Sequence, residues 1–339
     1  MQRLHAHTSE PSRREMLRWL GFAGLAAGLA PSSLLAATPS KPPRLVGTQS
    51  GHYRFAIGRF EALALSDGGM APAVSGHLFR NAASTEEIRA ALRAALVPDD
   101  LVHMPFSMLL VRTEADLVLI DAGCGGASGS SGGWLAANLH AAGLSPAQVT
   151  AVFLTHAHFD HCGGLLDASG RQPAFPNARH FISRREYDFW MGDAPDLAGT
   201  FFPDEGRRGM IKGARAALAP LAGRWEFVRE GDRPIPGFEV LDLPGHTPGQ
   251  IGLLIGDGER LLHLADTAHH HVLSFAHPEW SILSDAQPAI AVATRRQIFA
   301  RAAAERLRIF GTHLPFPGLG RVRVAGDHFE HVIEPWITV

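Results

Sequence analysis

Thr155-His156-Ala157-His158-Phe159-Asp160-His161 decides how this chain is read. It packs three imidazoles and a carboxylate into one short stretch, at spacings suited to two metal ions. Before it lies Thr150-Ala151-Val152-Phe153-Leu154, an apolar run that predicts a buried strand. Gly163-Gly164 follows, and a sharp turn there would call for residues tolerant of unusual φ. A strand thus delivers metal donors from its C-terminal end. His156 and His158 can face one cation, Asp160 and His161 a second. The plainer alternative is a histidine-rich surface loop, and the pattern is too specific for it.

One such loop cannot close two sites, because each transition-metal ion takes roughly four to six donors. Three further donors each follow a predicted strand. Leu243-Pro-Gly-His246-Thr-Pro-Gly249 holds a histidine in a rigid turn. Leu264-Ala-Asp266-Thr267 offers a carboxylate, the donor type that can bridge two cations. Ile309-Phe-Gly-Thr-His313 ends a strand with another histidine.

Composition bounds the rest. An apolar fraction of 46% in 339 residues supports a sizeable core, and a net charge of −2 without basic clusters argues against nucleic-acid binding. Cys124 and Cys162 are too few for a disulfide scaffold; a single bridge, a metal contact and two buried thiols stay open. Ser12-Arg13-Arg14 precedes an apolar stretch and small residues ending near Ala37. Residues 1–37 therefore read as a twin-arginine-type export signal, which implies a periplasmic or secreted protein. The stretch is shorter than the about 20 residues of a membrane span. Residues 38–51 read as a linker and 52–339 as the functional domain.

Along that domain, strands flank Gly58-Arg59 as a hairpin, and Ser84 with Glu87 caps a helix. Strands are expected at 108–111, 117–120, 225–228, 238–243, 251–255 and 261–265, with a last one at 308–310. Helices are expected from Trp134 to Ala142, as a short one capped by Ser183 and Glu186, from Met210 to Leu221, and after Pro288, with a less regular region between His161 and the second half. This order suits two stacked sheets with helices outside, an α/β class.

The series of motifs resembles the metallo-β-lactamase superfamily, including its lactonases, over nearly all of residues 52–339. Gly51-His-Tyr-Arg-Phe55, Phe60-Glu61, Ala64-Leu-Ser-Asp-Gly68, Trp134-Leu-Ala-Ala-Asn-Leu139, Ala174-Phe-Pro-Asn-Ala178, Asp188-Phe-Trp190 and His313-Leu-Pro-Phe-Pro-Gly318 are similar to its methyl parathion hydrolase-like branch. The resemblance implies an αββα sandwich with two divalent metals at one edge, zinc first and manganese, iron or cobalt as alternatives. It implies one metal on His156, His158 and His246, a second on Asp160, His161 and His313, and Asp266 between them. Asp121 would orient one ligand histidine. It also implies homodimers as a common assembly.

Two cations about 3.5–4 Å apart would make a bridging hydroxide the nucleophile, with Asp266 or Asp160 carrying the proton to the leaving group. The expected substrates are small lactones or aryl esters, with phosphotriesters as a secondary class. A dedicated organophosphate hydrolase is the alternative. A β-lactamase is disfavoured, since many carry cysteine where this chain has Asp266. A non-catalytic metal-binding module is the reading from another class. Tyr187, Phe189 and Trp190 are candidate pocket walls, or else the buried face of a helix. Ser128 and Met210-Ile211 stand where the parathion-hydrolysing members carry aromatics. Arg207 and Arg208 read as solvated, and His269-His270-His271 as rim or surface.

Overall fold

Alternating side chains on two sets of strands explain why the chain folds as layers. In the computed structural model, which describes residues 51–82, 84–126 and 131–336, the first set is a seven-stranded sheet. It contains β1 (His52–Ile57), β2 (Phe60–Met70), β3 (Met104–Arg112), β4 (Leu117–Ile120), β5 (Ala151–Leu154), β6 (Arg179–Ser183) and β7 (Trp225–Val228), in that spatial order. The strands are antiparallel up to β4 and parallel from there on. The second sheet has six strands: β8 (Phe238–Asp242), β9 (Ile251–Ile255), β10 (Leu261–His263), β11 (Arg308–Phe310), β12 (Leu319–Ala325) and β13 (His328–Ile333).

Because the side-chain period is two, each strand serves two layers. Val118, Ile120 and Phe153 turn inward against Phe238, Val240, Ile251 and Leu253 of the second sheet. Phe153 stacks on Phe181 at 4.7 Å and on Phe238 at 5.8 Å. Leu119, Val152 and Leu154 turn outward to meet Leu139, Trp190 and Leu218. These come from α2 (Leu135–Ala141), α4 (Arg184–Met191) and α5 (Asp204–Leu218). On the other side Leu254, Leu262 and Ile309 pack under Ile298, Phe299 and Ala302 of α7 (Pro288–Ala304). The architecture is an αββα sandwich. The remaining helices are α1 (Thr85–Ala94), α3 (Phe159–Cys162) and α6 (Leu273–Ala276).

Several expectations change. Arg308–Phe310 is not the last strand, since β12 and β13 follow as an antiparallel pair. β12 alternates as Arg321-Val-Arg-Val324, whereas in β13 the exposed Val332 and Ile333 and the inward His331 break the pattern. β6 lies in the stretch expected to be irregular. The helix expected from Met210 to Leu221 begins at Asp204 behind Pro203, and its last turn is the 3₁₀ segment Ala219–Leu221. Gly206 and Gly209 weaken its early propensity, while Asp204 and Glu205 favour its first turn. Both cysteines are buried, and the Cys162 thiol donates to the Ala157 carbonyl. The expected signal and linker, apart from Gly51, and Ser128 lie outside the described residues. Among the described residues, no helix is long and apolar enough to cross a membrane.

One irregularity positions the site. The β2–β3 register shifts between Ser66 and Gly68, which sets Asp67 apart from the ladder. The buried Asp67 carboxylate then accepts the amides of Cys124 and Leu135 at 2.6 and 2.7 Å. It ties the loop after β4 to the start of α2.

Candidate metal centre

The donors arrive from strand ends of both sheets. His156 and His158 follow β5, and α3 carries Asp160 and His161. Gly163 and Gly164 are required by close approach rather than by φ, which is ordinary at Gly163. An added Cβ would meet the Cys124 carbonyl oxygen at 2.4 Å or that of Ala122 at 2.0 Å. His246 follows Gly245, whose φ of +126° and approach to Ala291 leave no space for a side chain. Asp266 sits in the 3₁₀ turn Ala265–Thr267, and His313 lies just beyond β11.

Two buried groups result, His156/His158/His246/Asp266 and Asp160/His161/Asp266/His313, with donor atoms in each within 4.8 Å of one another. Asp266 belongs to both. His158 Nδ1 lies 3.1 Å from His156 Nε2 and 2.8 Å from His246 Nε2. Asp266 Oδ2 lies 3.0 Å from His313 Nε2, and Oδ1 lies 3.1 Å from His161 Nε2.

Outer partners fix the protons on these rings. His246 Nδ1 donates to Asp285 at 2.8 Å, His161 Nδ1 to Asp121 at 2.7 Å, and His313 Nδ1 to the Pro105 carbonyl at 2.9 Å. The Thr155 hydroxyl donates to Asp121 at 2.9 Å and accepts from His156 Nδ1 at 3.1 Å. Asp121 therefore orients a histidine in each group, one of them through Thr155. With Nδ1 protonated, these Nε2 atoms present lone pairs to each other and to a carboxylate. Such convergence is repulsive unless positive charge lies between, and the buried His161 Nε2 and Asp266 Oδ1 have no hydrogen-bond partner. The donor set fits two divalent cations.

The electrostatics agree. Burial and neighbouring rings push His156 and His158 well below the usual imidazole range. At His161 burial is outweighed by Asp266, Asp121 and Asp160, which push it well above. At His246 burial is likewise outweighed, by Asp266 and Asp285, which raise it to about 9. Burial also opposes charge on Asp266, but His161, His313 and His156 hold it well below the carboxylate range. The cavity is built for positive charge.

Sequence reasoning missed three groups. Glu186, expected only as a capping residue, is fully buried and accepts from Ala157 N, Trp190 Nε1, Thr247 Oγ1 and Gly249 N. Asp285 is buried between His246, Ser281 and Arg295. His269 is not surface: it is buried, with Nε2 3.2 Å from Asp266 Oδ2. His270 is buried too, accepting the Val272 amide. A run of three histidines gave no sign of which one faces inward.

The candidate pocket walls divide. Trp190 has no exposed surface and packs edge-on beneath His158 at 5.7 Å, so it supports the site from below. Tyr187 packs on Phe227 of β7. Phe189, Met210 and Ile211 are half-buried against the outer core. Arg207 reaches the Thr200 carbonyl, and Arg208 is exposed. Phe159, between the donors, is 47% exposed and rests edge-on against Phe106, which meets the His313 ring.

Comparison with known proteins gives a consistent picture. An N-acyl homoserine lactonase of a Bacillus species is 24% identical over 186 residues, 49% of this chain and 64% of the relative. N-acyl homoserine lactonase AttM of Azorhizobium caulinodans is 32% identical over 128 residues, 35% of this chain and 40% of the relative. The chain thus spans less than two thirds of these relatives. Solved structures match more fully. AidC, a dizinc quorum-quenching lactonase in complex with its product N-hexanoyl-L-homoserine, is 31% identical with a TM-score of 0.81, covering 85% of this chain and 99% of that one. Hydrolase AbOPH in the β-lactamase superfamily is 30% identical with a TM-score of 0.78, covering 86% and 100%. The metallo-β-lactamase superfamily model matches residues 104–313, more than half of the chain. That interval runs from β3 to the last donor, and the chain belongs to the metallo-β-lactamase superfamily.

Proposed function

We propose that this chain is a dinuclear metal-dependent hydrolase that opens lactones, with zinc as its metal. The observation that carries the reading is the pair of buried donor groups sharing Asp266. The likeness to the dizinc lactonase AidC across 85% of the chain supports it. When bound, two cations supply a Lewis acid for the carbonyl and an acidified water. His156, His158 and His246 would hold one cation and Asp160, His161 and His313 the other, with Asp266 common to both groups. Asp121 and Asp285 keep the rings turned so that lone pairs face inward. Asp160 and Asp266 are the carboxylates at hand to carry a proton toward the leaving oxygen. Phe159 offers an apolar face beside the donors for an acyl chain. Aryl esters and phosphotriesters are secondary substrates, since attack asks only for a polarised oxygen and a leaving group.

Metal analysis of zinc-loaded protein, joined to turnover of an acyl-homoserine lactone, an aryl ester and a phosphotriester, tests this. Lactone turnover above the other two, abolished in His156→Ala, is expected. Two bound zinc ions with no turnover across the panel would sink the reading and favour a binding module. We also propose twin-arginine export. Replacing Arg13 and Arg14 by lysine should leave the protein in the cytoplasmic fraction, and unchanged export would refute it.

A further inference from the structure

Four imidazole Nε2 atoms crowd around Asp266 Oδ2: His313 at 3.0 Å, His269 at 3.2 Å, His246 at 3.3 Å and His156 at 3.7 Å. Three of them belong to the donor groups. The fourth, His269, belongs to neither.

Its setting separates it from those donors. His156, His246 and His313 each have an outer partner for Nδ1, which leaves Nε2 as a lone pair. Among the described residues, no outer partner holds the His269 Nδ1, and its buried Nε2 faces Asp266 Oδ2. A nitrogen facing a carboxylate at this distance, and free to choose its tautomer, carries the proton. The ring is nevertheless held in place. It stacks on His313 at 5.2 Å and 16°, and lies tilted against His246 at 4.8 Å. Ser274 Oγ accepts the amides of His269 and His270 at 2.9 and 3.2 Å. His269 is buried to the same degree as two of the donors, 4% exposed against 3% for His313 and 2% for Asp266, so it shares their enclosed space.

We propose that His269 is a catalytic residue that donates a hydrogen bond from Nε2 to the substrate's leaving oxygen. The assignment rests on the hydrolase reading above. With Asp266 engaged by two cations, the His269 N–H is the donor left facing the space between the groups. In ester or lactone hydrolysis, water oxygen bonds to the acyl carbon. The bond from that carbon to the leaving oxygen breaks, and its electron pair stays on the oxygen, which ends with a proton from the water. A fixed N–H stabilises the charge while it builds there. Alkoxides need this help, whereas nitrophenolate hardly does.

The test compares wild type, His269→Leu and His269→Gln, each loaded with zinc, on an aliphatic lactone and a p-nitrophenyl ester. His269→Leu should lose roughly 100-fold in kcat on the lactone, the order found for a single oxyanion donor. On the nitrophenyl ester it should lose no more than about fivefold, and His269→Gln should recover at least about tenfold on the lactone. Both variants should keep two zinc ions per chain and the visible spectrum of the cobalt-substituted enzyme. Should the leucine variant not fold, His269→Ala is read the same way. A lost ion or a changed cobalt spectrum would make His269 a ligand and overturn the assignment. Equal losses on the two esters would overturn it as mere packing. An active wild type with either result leaves the hydrolase reading intact, whereas an inactive wild type brings down both.

Discussion

Glu186 gives the sharpest test of how the site is held. Its Oε1 accepts from Ala157 N at 3.0 Å and Trp190 Nε1 at 2.6 Å. Its Oε2 accepts from Thr247 Oγ1 at 2.6 Å and Gly249 N at 3.1 Å. In Glu186→Gln one oxygen becomes an amide donor. Ala157 and Trp190 can only donate, so the remaining oxygen must face them. Thr247 can turn its hydroxyl to accept, but the Gly249 amide then faces another N–H. One buried donor is left unsatisfied, at about 1–3 kcal/mol, and two bonds drop from charge-assisted to neutral, at about 1 kcal/mol each. Relief of a buried charge, whose desolvation raises the Glu186 pKa, offsets part of this. A net destabilisation of about 2–4 kcal/mol follows, or a Tm lower by about 5–10 °C for a domain of this size. Ala157 lies between His156 and His158, and Thr247 follows His246, so the affinity of that group should fall while the His161/His313 group holds. Thermal melts of metal-free protein and competitive chelator titration read the two effects. A Glu186→Gln melt within about 2 °C of the parent, or a Glu186→Ala variant no worse than it, would refute the account.

Three other expectations concern different parts. Asp285→Asn should weaken one cation by about 10–100-fold and spare the other, by titration against a chelator; equal weakening would mean a general loss of fold. Gly249→Ala would place a Cβ 2.1 Å from the Glu186 backbone nitrogen, so a loss of about 2–3 kcal/mol is expected in urea unfolding, and a neutral result would contradict the packing. His180 is buried with no partner for Nε2, and burial, aided by Arg224, lowers its pKa to about 4. The unfolded chain binds this proton first as pH falls, so its stabilisation is intact above about pH 6.5 and is lost on the way down to about 4. Between pH 7 and pH 5 that is about 2 kcal/mol, and urea midpoints of His180→Leu should flatten over this interval.

Legibility followed the chemistry of position. The fold's layers were readable from β5 and β9, because strands buried on both faces announce themselves as apolar runs. The donors were readable because each follows an expected strand. β13 was not, since its exposed residues are Val332 and Ile333 and its His331 turns inward, while β12 does alternate as Arg321-Val-Arg-Val324. Glu186 looked like an ordinary capping residue, for its sequence neighbours are those of a helix start. Its true partners, Thr247 and Gly249, come from the other sheet's connections. Asp285 takes its meaning from His246, far away in sequence, whereas His269 lies three residues from Asp266 but is hidden in a run of three histidines. Trp190 was readable as an aromatic, and only its burial shows that it lies under the site.

Each donor group draws from both layers of the sandwich. His156, His158, Asp160 and His161 come from the first sheet, and His246, Asp266 and His313 from the second. Every cation bound here is therefore a clasp across the seam, closing the end of the sandwich where the strands stop. The same ions that serve the chemistry would set how readily the two halves part, so proteases and chelators should act in concert on this chain. A chain deprived of those ions would lose its fold more readily, as well as any chemistry they serve.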